Sequence, residues 1–394
     1  MRAGRRLTIA LGTTQLVSWA VSFYMPAVIA GPAAADLGMS RLAILAGFSW
    51  ALLVAGFCAP RVGRWIGDHG GRGPLTASAL AMAAGLGLLA AAHGPALWYG
   101  GWTVMGIGMA LGLYDAVFAT LGGRLGAAAG PAITGVTLMG GFASSVGWPT
   151  GAALVDGVGW RGTLVAYAAA ELAINLPIFL LMVPGRAPAV AARRSDTAAP
   201  VGRSRRQALT CLAGFFTIRW FVTSALAVAI LPLLGGMGLT AGEAVAASAL
   251  IGPGQVAGRL IEWSAGGRFG LIGRAALGAG LAPVGIAVLI WGGGMVGPAT
   301  AACLFAMLYG MSNGIMTINR GTLPLAIFGP DGYAALLGWL AVPVLLAQAA
   351  APTITAPLVT HMPSAEIFGA AGILATIALF LLLPLRPKPA AAAE

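Results

Sequence analysis

The sequence predicts an all-α polytopic membrane protein with twelve transmembrane helices in two pseudo-symmetric six-helix bundles. Three observations carry this expectation. Hydrophobic residues make up 59% of the 394 and charged residues only 8%, against roughly 25% charged in a soluble domain, so the chain cannot cover a water-facing globular surface. The apolar residues fall in runs of about 20, the length a spanning helix needs. The basic residues collect in alternate gaps between those runs. Disorder is excluded by the same hydrophobicity. Barrel strands are excluded because the runs are about twice a strand's length and lack alternation. Helices remain, since a helix closes its backbone hydrogen bonds within one segment.

Taken in order, the spans are expected at 7–30, 41–59, 74–93, 97–121, 132–155, 163–184, 207–234, 241–261, 275–295, 298–323, 333–358 and 364–384. Pro, Gly and charge clusters separate them. Arg2, Arg5 and Arg6 precede the first run, and Ala33-Ala34-Ala35 has the small-residue look of a cleavage site. A signal h-region is only about 7–15 residues long, so the longer run from Leu7 to Ala30 is read as a retained span. Sixty glycines, with abundant Ala, let helices approach closely. The domains are expected at 1–185, a six-helix bundle; 186–206, a cytoplasmic basic linker rich in Ala, Pro and Arg; and 207–394, a second six-helix bundle. The linker reads as a solvated charge run, with contact to anionic lipid a secondary role.

Orientation follows from the basic residues. With the N-terminus inside, nineteen of the 22 Lys and Arg lie in cytoplasmic segments, Arg41 and Arg161 lie outside, and Arg219 lies within the membrane. The positive-inside rule then places both termini in the cytoplasm, with the chain multi-pass in a bacterial cytoplasmic (inner) membrane. The same loops account for the net charge of +11, and no soluble basic module exists to bind nucleic acid. Cys58, Cys211 and Cys303 lie singly in apolar runs and His69, His93 and His361 are scattered, so neither a disulfide framework nor a metal site is expected. The cysteines read as small core hydrophobes.

The halves echo one another. Val62-Gly63-Arg64-Trp65-Ile66 follows span two and Ala257-Gly258-Arg259-Leu260-Ile261 follows span eight; Gly71-Arg72 is echoed by Gly267-Arg268. Order and near-half-length offset point to a duplicated unit, a known transporter plan.

The stretch Arg64-Trp65-Ile66-Gly67-Asp68-His69-Gly70-Gly71-Arg72-Gly73 resembles the loop 2–3 signature of the major facilitator superfamily. Asp68, Gly71 and Arg72 match, Arg64 stands in place of the opening Gly, and Gly73 replaces the last basic residue. The resemblance covers the whole chain and implies a cytoplasmic gate at Asp68, Arg72, Arg64 and Arg259, where a carboxylate at a helix end holds the inner mouth shut; a positive-inside loop with a structural Asp is the plainer reading. Gly106-Ile107-Gly108 resembles that family's proton-antiporter motif, with Trp102 in the Arg position. Gly147-Trp148-Pro149-Thr150-Gly151 is loosely similar to its antiporter signature, although a kink at Pro149 explains it alone. Gly112–Thr120 and Tyr309–Pro324 resemble a bacterial branch that includes trivalent arsenic and antimony exporters.

Charges at membrane depth are costly, roughly 2.5–3.5 kcal/mol on insertion scales. Arg219 lies about 18 Å into span seven at about 1.5 Å per residue, near the midplane of a core about 30 Å thick. It reads either as a fixed positive charge for an anionic substrate or as a buried partner of Asp115 or Glu171. Asp115 in span four and Arg320 in span ten occupy corresponding places and could pair across the halves, coupling transport to protons; a static salt bridge is the rival. Glu171, with Asn175 one turn on, is a further coupling candidate, although a structural hydrogen bond is the leading reading. Gln15, Asn313 and Asn319 are candidate substrate contacts, with interhelical hydrogen bonding their alternative. Trp19, Tyr24 and Trp220 could line an apolar pocket or simply pack.

The expected function is secondary active transport of a small solute by alternating access: a small organic anion held by Arg219, with proton coupling through Asp115. Efflux of a drug-like or trivalent arsenic/antimony compound is the alternative. No enzyme constellation, nucleotide motif or cofactor site is expected, and the protein is expected to be a monomer in the lipid bilayer.

Overall fold

The structure, a computed structural model, describes residues 2–185, 205–264 and 270–385. Most of the 186–206 linker and the Gly267-Arg268 echo lie outside the described residues. The helices are α1 (Arg2–Trp19), α2 (Met25–Leu37), α3 (Arg41–His69), α4 (Arg72–Ala90), α5 (Pro95–Gly112), α6 (Tyr114–Leu125), α7 (Gly130–Gly140), α8 (Ala143–Ala170), α9 (Leu176–Met182), α10 (Arg205–Gly236), α11 (Ala241–Ala249), α12 (Ile251–Ser264), α13 (Leu271–Trp291), α14 (Gly293–Val296), α15 (Pro298–Phe328), α16 (Tyr333–His361) and α17 (Ser364–Phe380). No strand occurs among the described residues. Among the described residues, ten stretches are long and apolar enough to cross a membrane; one of them, Pro95–Met182, runs for 88 residues.

The helix limits have local causes. Ser40 caps α3 by accepting from the Ala43 amide (3.1 Å), and Gly38, at φ 63°, ends α2 in the left-handed region. Thr240 and Glu243 form a capping box at the start of α11. Two one-turn π-helices interrupt the ladder, at Ala20–Tyr24 between α1 and α2 and at Glu171–Asn175 between α8 and α9. The first span is thus longer than 7–30: the apolar helix continues to Leu37, with Ala33-Ala34-Ala35 inside it. The 97–121 segment is broken at Leu113, whose ψ of −173° leaves the helical region. The expected kink at Pro149 is displaced: Pro149 lies within α8, and the non-helical residue is Gly159 (φ 73°, ψ 171°).

Contacts group the chain into two compact units, one built on the first half together with Pro330–Ala349, the other on the remainder. In the first, Trp98, Trp102 and Met105 of α5 pack with Met82, Leu86 and Leu89 of α4 and with Ile44, Ala51 and Leu52 of α3. Trp102, at the position where the antiporter motif has Arg, is fully buried there, and its ring fills the space where a Cβ on Gly47 would sit. Packing is the physical reason that this position carries no charge.

One end of this unit is stapled by Arg161. Its guanidinium meets Asp36 at 2.9 Å, donates to the Ala90 carbonyl, and lies 4.4 Å from the Trp160 ring centroid; Trp160 Nε1 also donates to Asp36 (3.2 Å). Three helix ends are tied by one side chain. The pair is partly solvated, so Arg161→Ala is expected to cost only about 1 kcal/mol, seen as a small drop in Tm in detergent that shrinks with added salt.

In the second unit, Val222, Leu226 and Leu233 of α10 pack with Phe305 and Tyr309 of α15 and Phe368 of α17. α12 and α15 meet through two small-residue pairs, Gly254/Gly258 and Gly310/Gly314. A Cβ on Gly258 would stand 2.2 Å from the Met311 carbonyl oxygen, and one on Gly314 would stand 2.1 Å from that of Gln255. Backbones touch here because neither residue has a side chain.

Candidate functional site

Arg219 lies near the middle of α10, flanked by the buried Phe215, Phe216 and Val222, and is itself 1% exposed. A single cation in an apolar helix must find polar partners or water. Its partners are neutral. Nη1 donates to Thr223 Oγ1 one turn along (2.9 Å), and Nη2 donates to Ser312 Oγ (3.0 Å) and Asn313 Oδ1 (2.6 Å) on α15. Thr223 also donates to Asn313 Oδ1 (3.2 Å), which fixes the acceptor in place. The Tyr309 ring lies under the guanidinium, 5.6 Å from Cζ to centroid. Among the described residues of the second unit the ion pair is Arg274 with Glu262, and Arg219 takes no part in it. Its Nε, the Tyr309 hydroxyl, Thr217 Oγ1 and Trp220 Nε1 are buried without a hydrogen-bond partner. The second unit therefore holds a buried positive charge whose partners, Thr223, Ser312, Asn313 and the Tyr309 ring, are all neutral, a setting suited to a carboxylate or another oxyanion.

Asn313 belongs directly to this cluster. Asn319, on the same helix, is fully buried; its Oδ1 accepts from Thr322 (3.5 Å) and its Nδ2 has no partner. Arg320 is half-buried with its guanidinium 5.3 Å from the Trp220 ring centroid.

The remaining candidates lie in the first unit. Because the helix breaks at Leu113, the Gly112 carbonyl is released from the ladder, and buried Gln15 Nε2 donates to it (2.8 Å). Trp19 Nε1 donates to Gln15 Oε1 (3.2 Å), and the Trp19 ring packs against Tyr114 (4.9 Å) and Phe23 (5.0 Å). Tyr24 packs edge-on to Trp148 (5.5 Å). Asp115 is half-buried in the first turn of α6, where the helix dipole favours a carboxylate. Glu171 is fully buried. Ser18 Oγ donates to its Oε1 (3.1 Å) and Asn175 Nδ2 to its Oε2 (2.9 Å), while the same Nδ2 donates to Ser18 Oγ (2.9 Å).

The gate residues divide. Asp68, Arg64 and Arg72 are exposed at the end of α3 and the start of α4, and none enters an ion pair among the described residues. Arg259, the echo of Arg64, is buried on α12, where Nη2 donates to Gln255 (3.3 Å) and Nε and Nη1 have no partner. Sequence reasoning did not single out Glu262, which pairs with Arg274 at 3.1 Å. It also missed Ser18, Thr223 and Ser312, which in sequence are ordinary small polar residues of apolar helices. Cys58, Cys211 and Cys303 are free thiols, and no group of three His, Cys, Asp or Glu able to hold a metal occurs among the described residues.

No protein-family model and no curated protein matches the sequence. Among solved structures, the crystal structure of the human organic anion transporter MFSD10 (TETRAN), a major facilitator transporter, aligns with a TM-score of 0.70 over 96% of this chain and 99% of that one, at 16% identity. At that identity the likeness is one of architecture: a polytopic, all-helical chain with the fold of a membrane transporter.

Proposed function

We propose that this chain is a secondary active transporter, not an enzyme, that moves a small organic anion across a bacterial inner membrane by alternating access. The observation that carries the reading is Arg219, a fully buried guanidinium whose hydrogen bonds all go to neutral groups. An anionic solute supplies the missing countercharge. The solved neighbour, itself titled an organic anion transporter, supports the same substrate class. Asn313 and Ser312 orient the guanidinium, and Tyr309 offers a hydroxyl. Gln15, Trp19, Tyr24 and Asn319 are further candidate substrate contacts.

Twelve crossings follow if Pro95–Met182 is divided at its two left-handed glycines, Gly126 (φ 57°) and Gly159 (φ 73°). Each piece is then about 36–50 Å long, enough to cross a core of about 30 Å once. With the domains at 1–185, 186–206 and 207–394, both termini are cytoplasmic by the positive-inside rule. The chain acts as a monomer and draws on the proton gradient, with Asp115 and Arg320 as coupling candidates and Asp68, Arg72, Arg64 and Arg259 as the inner gate. Efflux of a drug-like or trivalent arsenic/antimony compound is the rival reading, and the scattered cysteines do not favour it.

Purified protein in liposomes tests the proposal. Radiolabelled organic anions should accumulate only under an imposed gradient; equilibration without accumulation would indicate a channel. Asp115→Asn is expected to abolish the response of uptake to a proton gradient while leaving counterflow exchange intact. Equal loss of both would assign Asp115 a structural role.

A further inference from the structure

Glu171, Ser18 and Asn175 close a buried ring of three side chains in the first unit. The carboxyl is 0% exposed and receives one hydrogen bond from Ser18 and one from Asn175. No cation stands within ion-pair distance of it among the described residues. The elements packed against its π-turn are α1, α4, α8 and α9. Their charged groups lie elsewhere. Arg5 and Arg6 stand in the first turns of α1, whereas Ser18 is in its last. Arg72 opens α4, Asp156 is exposed beside Gly159, Arg161 is held by Asp36, and α9 has none. The nearby Tyr167 turns its hydroxyl to the Gly147 carbonyl.

A carboxylate buried to this depth and served only by neutral donors has no countercharge. Asn175 Nδ2 also donates to the Thr14 carbonyl (3.5 Å), and Asn175 Oδ1 is buried with no donor, an open acceptor on the residue that faces the carboxyl.

We infer that Glu171 is a proton-binding site within the membrane, whose occupancy sets the conformation of α1. When protonated, the carboxyl O–H donates to the Asn175 amide oxygen, which the amide presents by turning over and giving up its Nδ2 hydrogen bonds to Glu171 Oε2 and Ser18 Oγ. When the O–H bond breaks, the proton passes to water and the amide turns back to donate to the carboxylate. The consequence is carried by α1. Ser18 lies just before the π-turn Ala20–Tyr24, and Ser22 Oγ donates to its carbonyl. One turn away, Gln15 ties the same helix to the break at Gly112 that presents Asp115. Protonation at Glu171 therefore acts on the segment that carries Gln15 and Trp19. This deepens the transport reading by naming where the coupling proton is held, and rests on that reading only for its use in transport.

The test needs no substrate, so its failure is distinct from failure of the anion reading. Infrared spectra of the protein in lipid at neutral pH should contain the carbonyl-stretch band of a protonated carboxylic acid. The band is expected to persist in Asp115→Asn, to vanish in Glu171→Gln, and to shift in Ser18→Ala, which removes one donor and keeps the acid. Hydrogen exchange of peptides covering Ala20–Tyr24, corrected for the intrinsic pH effect, should change with pH in the wild type and become pH-independent in Glu171→Gln. If no such band exists, if Glu171→Gln retains it, or if neither it nor Ser18→Ala alters it, the site is not Glu171. Exchange that stays pH-dependent in Glu171→Gln would overturn the link to α1.

Discussion

Arg219→Met is expected to abolish anion transport while raising the melting temperature of the unliganded protein. The two effects have one origin. Arg219 is fully buried and its hydrogen bonds go to Thr223, Ser312 and Asn313, none of which carries a charge. Three neutral hydrogen bonds return less than a desolvated cation costs, so an apolar side chain of similar length is expected to stabilise the fold by about 1–3 kcal/mol. Removing the charge that meets the anion should cost transport about 100-fold or more, the scale of truncating one partner of a buried charge pair. Arg219→Lys should recover part of the activity, because it restores the charge without the planar fork. Uptake in liposomes and thermal denaturation in detergent read the two halves separately. A destabilised Arg219→Met protein that still transports would reverse both the sign and the argument.

Gly258→Ala is expected to be, with Gly314→Ala, among the most damaging single-methyl changes in the second unit. A Cβ there would lie 2.2 Å from the Met311 carbonyl oxygen, and backbone cannot rotate away as a side chain can. The helices must separate, at a cost of about 3 kcal/mol, the upper end of ordinary overpacking. Gly314→Ala opens the same contact from the other side, against the Gln255 carbonyl. The double variant should therefore cost less than the sum of the singles. Gly252→Ala is the control. Nothing lies within 4 Å of its would-be Cβ, so it should be neutral or slightly stabilising. Equal Tm values for Gly258→Ala and Gly252→Ala would remove the close-contact account.

How far the molecule could be read in advance depended on the kind of signal. Composition excluded a soluble chain, because 8% charge cannot dress a soluble surface, and run length excluded barrel strands. Arg219 was legible for the same reason, as a charge standing alone in an apolar run. Its surroundings were not. Ser312 and Thr223 look like any hydroxyl in a membrane helix; Thr223 lies one turn along α10, and only the approach of α15 to α10 brings Ser312 to the guanidinium. The breaks at Leu113 and Gly159 were hidden inside stretches that stay apolar across them, so hydropathy reported continuity where the backbone turns. Glu171 was visible as a charge at depth. The ring it closes was not, since Ser18 lies 153 positions away in sequence. The echoed motif was legible as repetition, yet its two arginines differ in fate: Arg64 is exposed and Arg259 is buried.

The π-turn at Ala20–Tyr24 also acts as a phase setter for the helix that follows. One residue of an α-helix advances the side-chain direction by about 100°, so a single extra residue decides which way every later side chain of that helix looks. With it, Met25, Ile29 and Ala33 face the interior and are each 0% exposed. Deleting one residue from the turn would rotate all three by about 100°, off the interior that they now face.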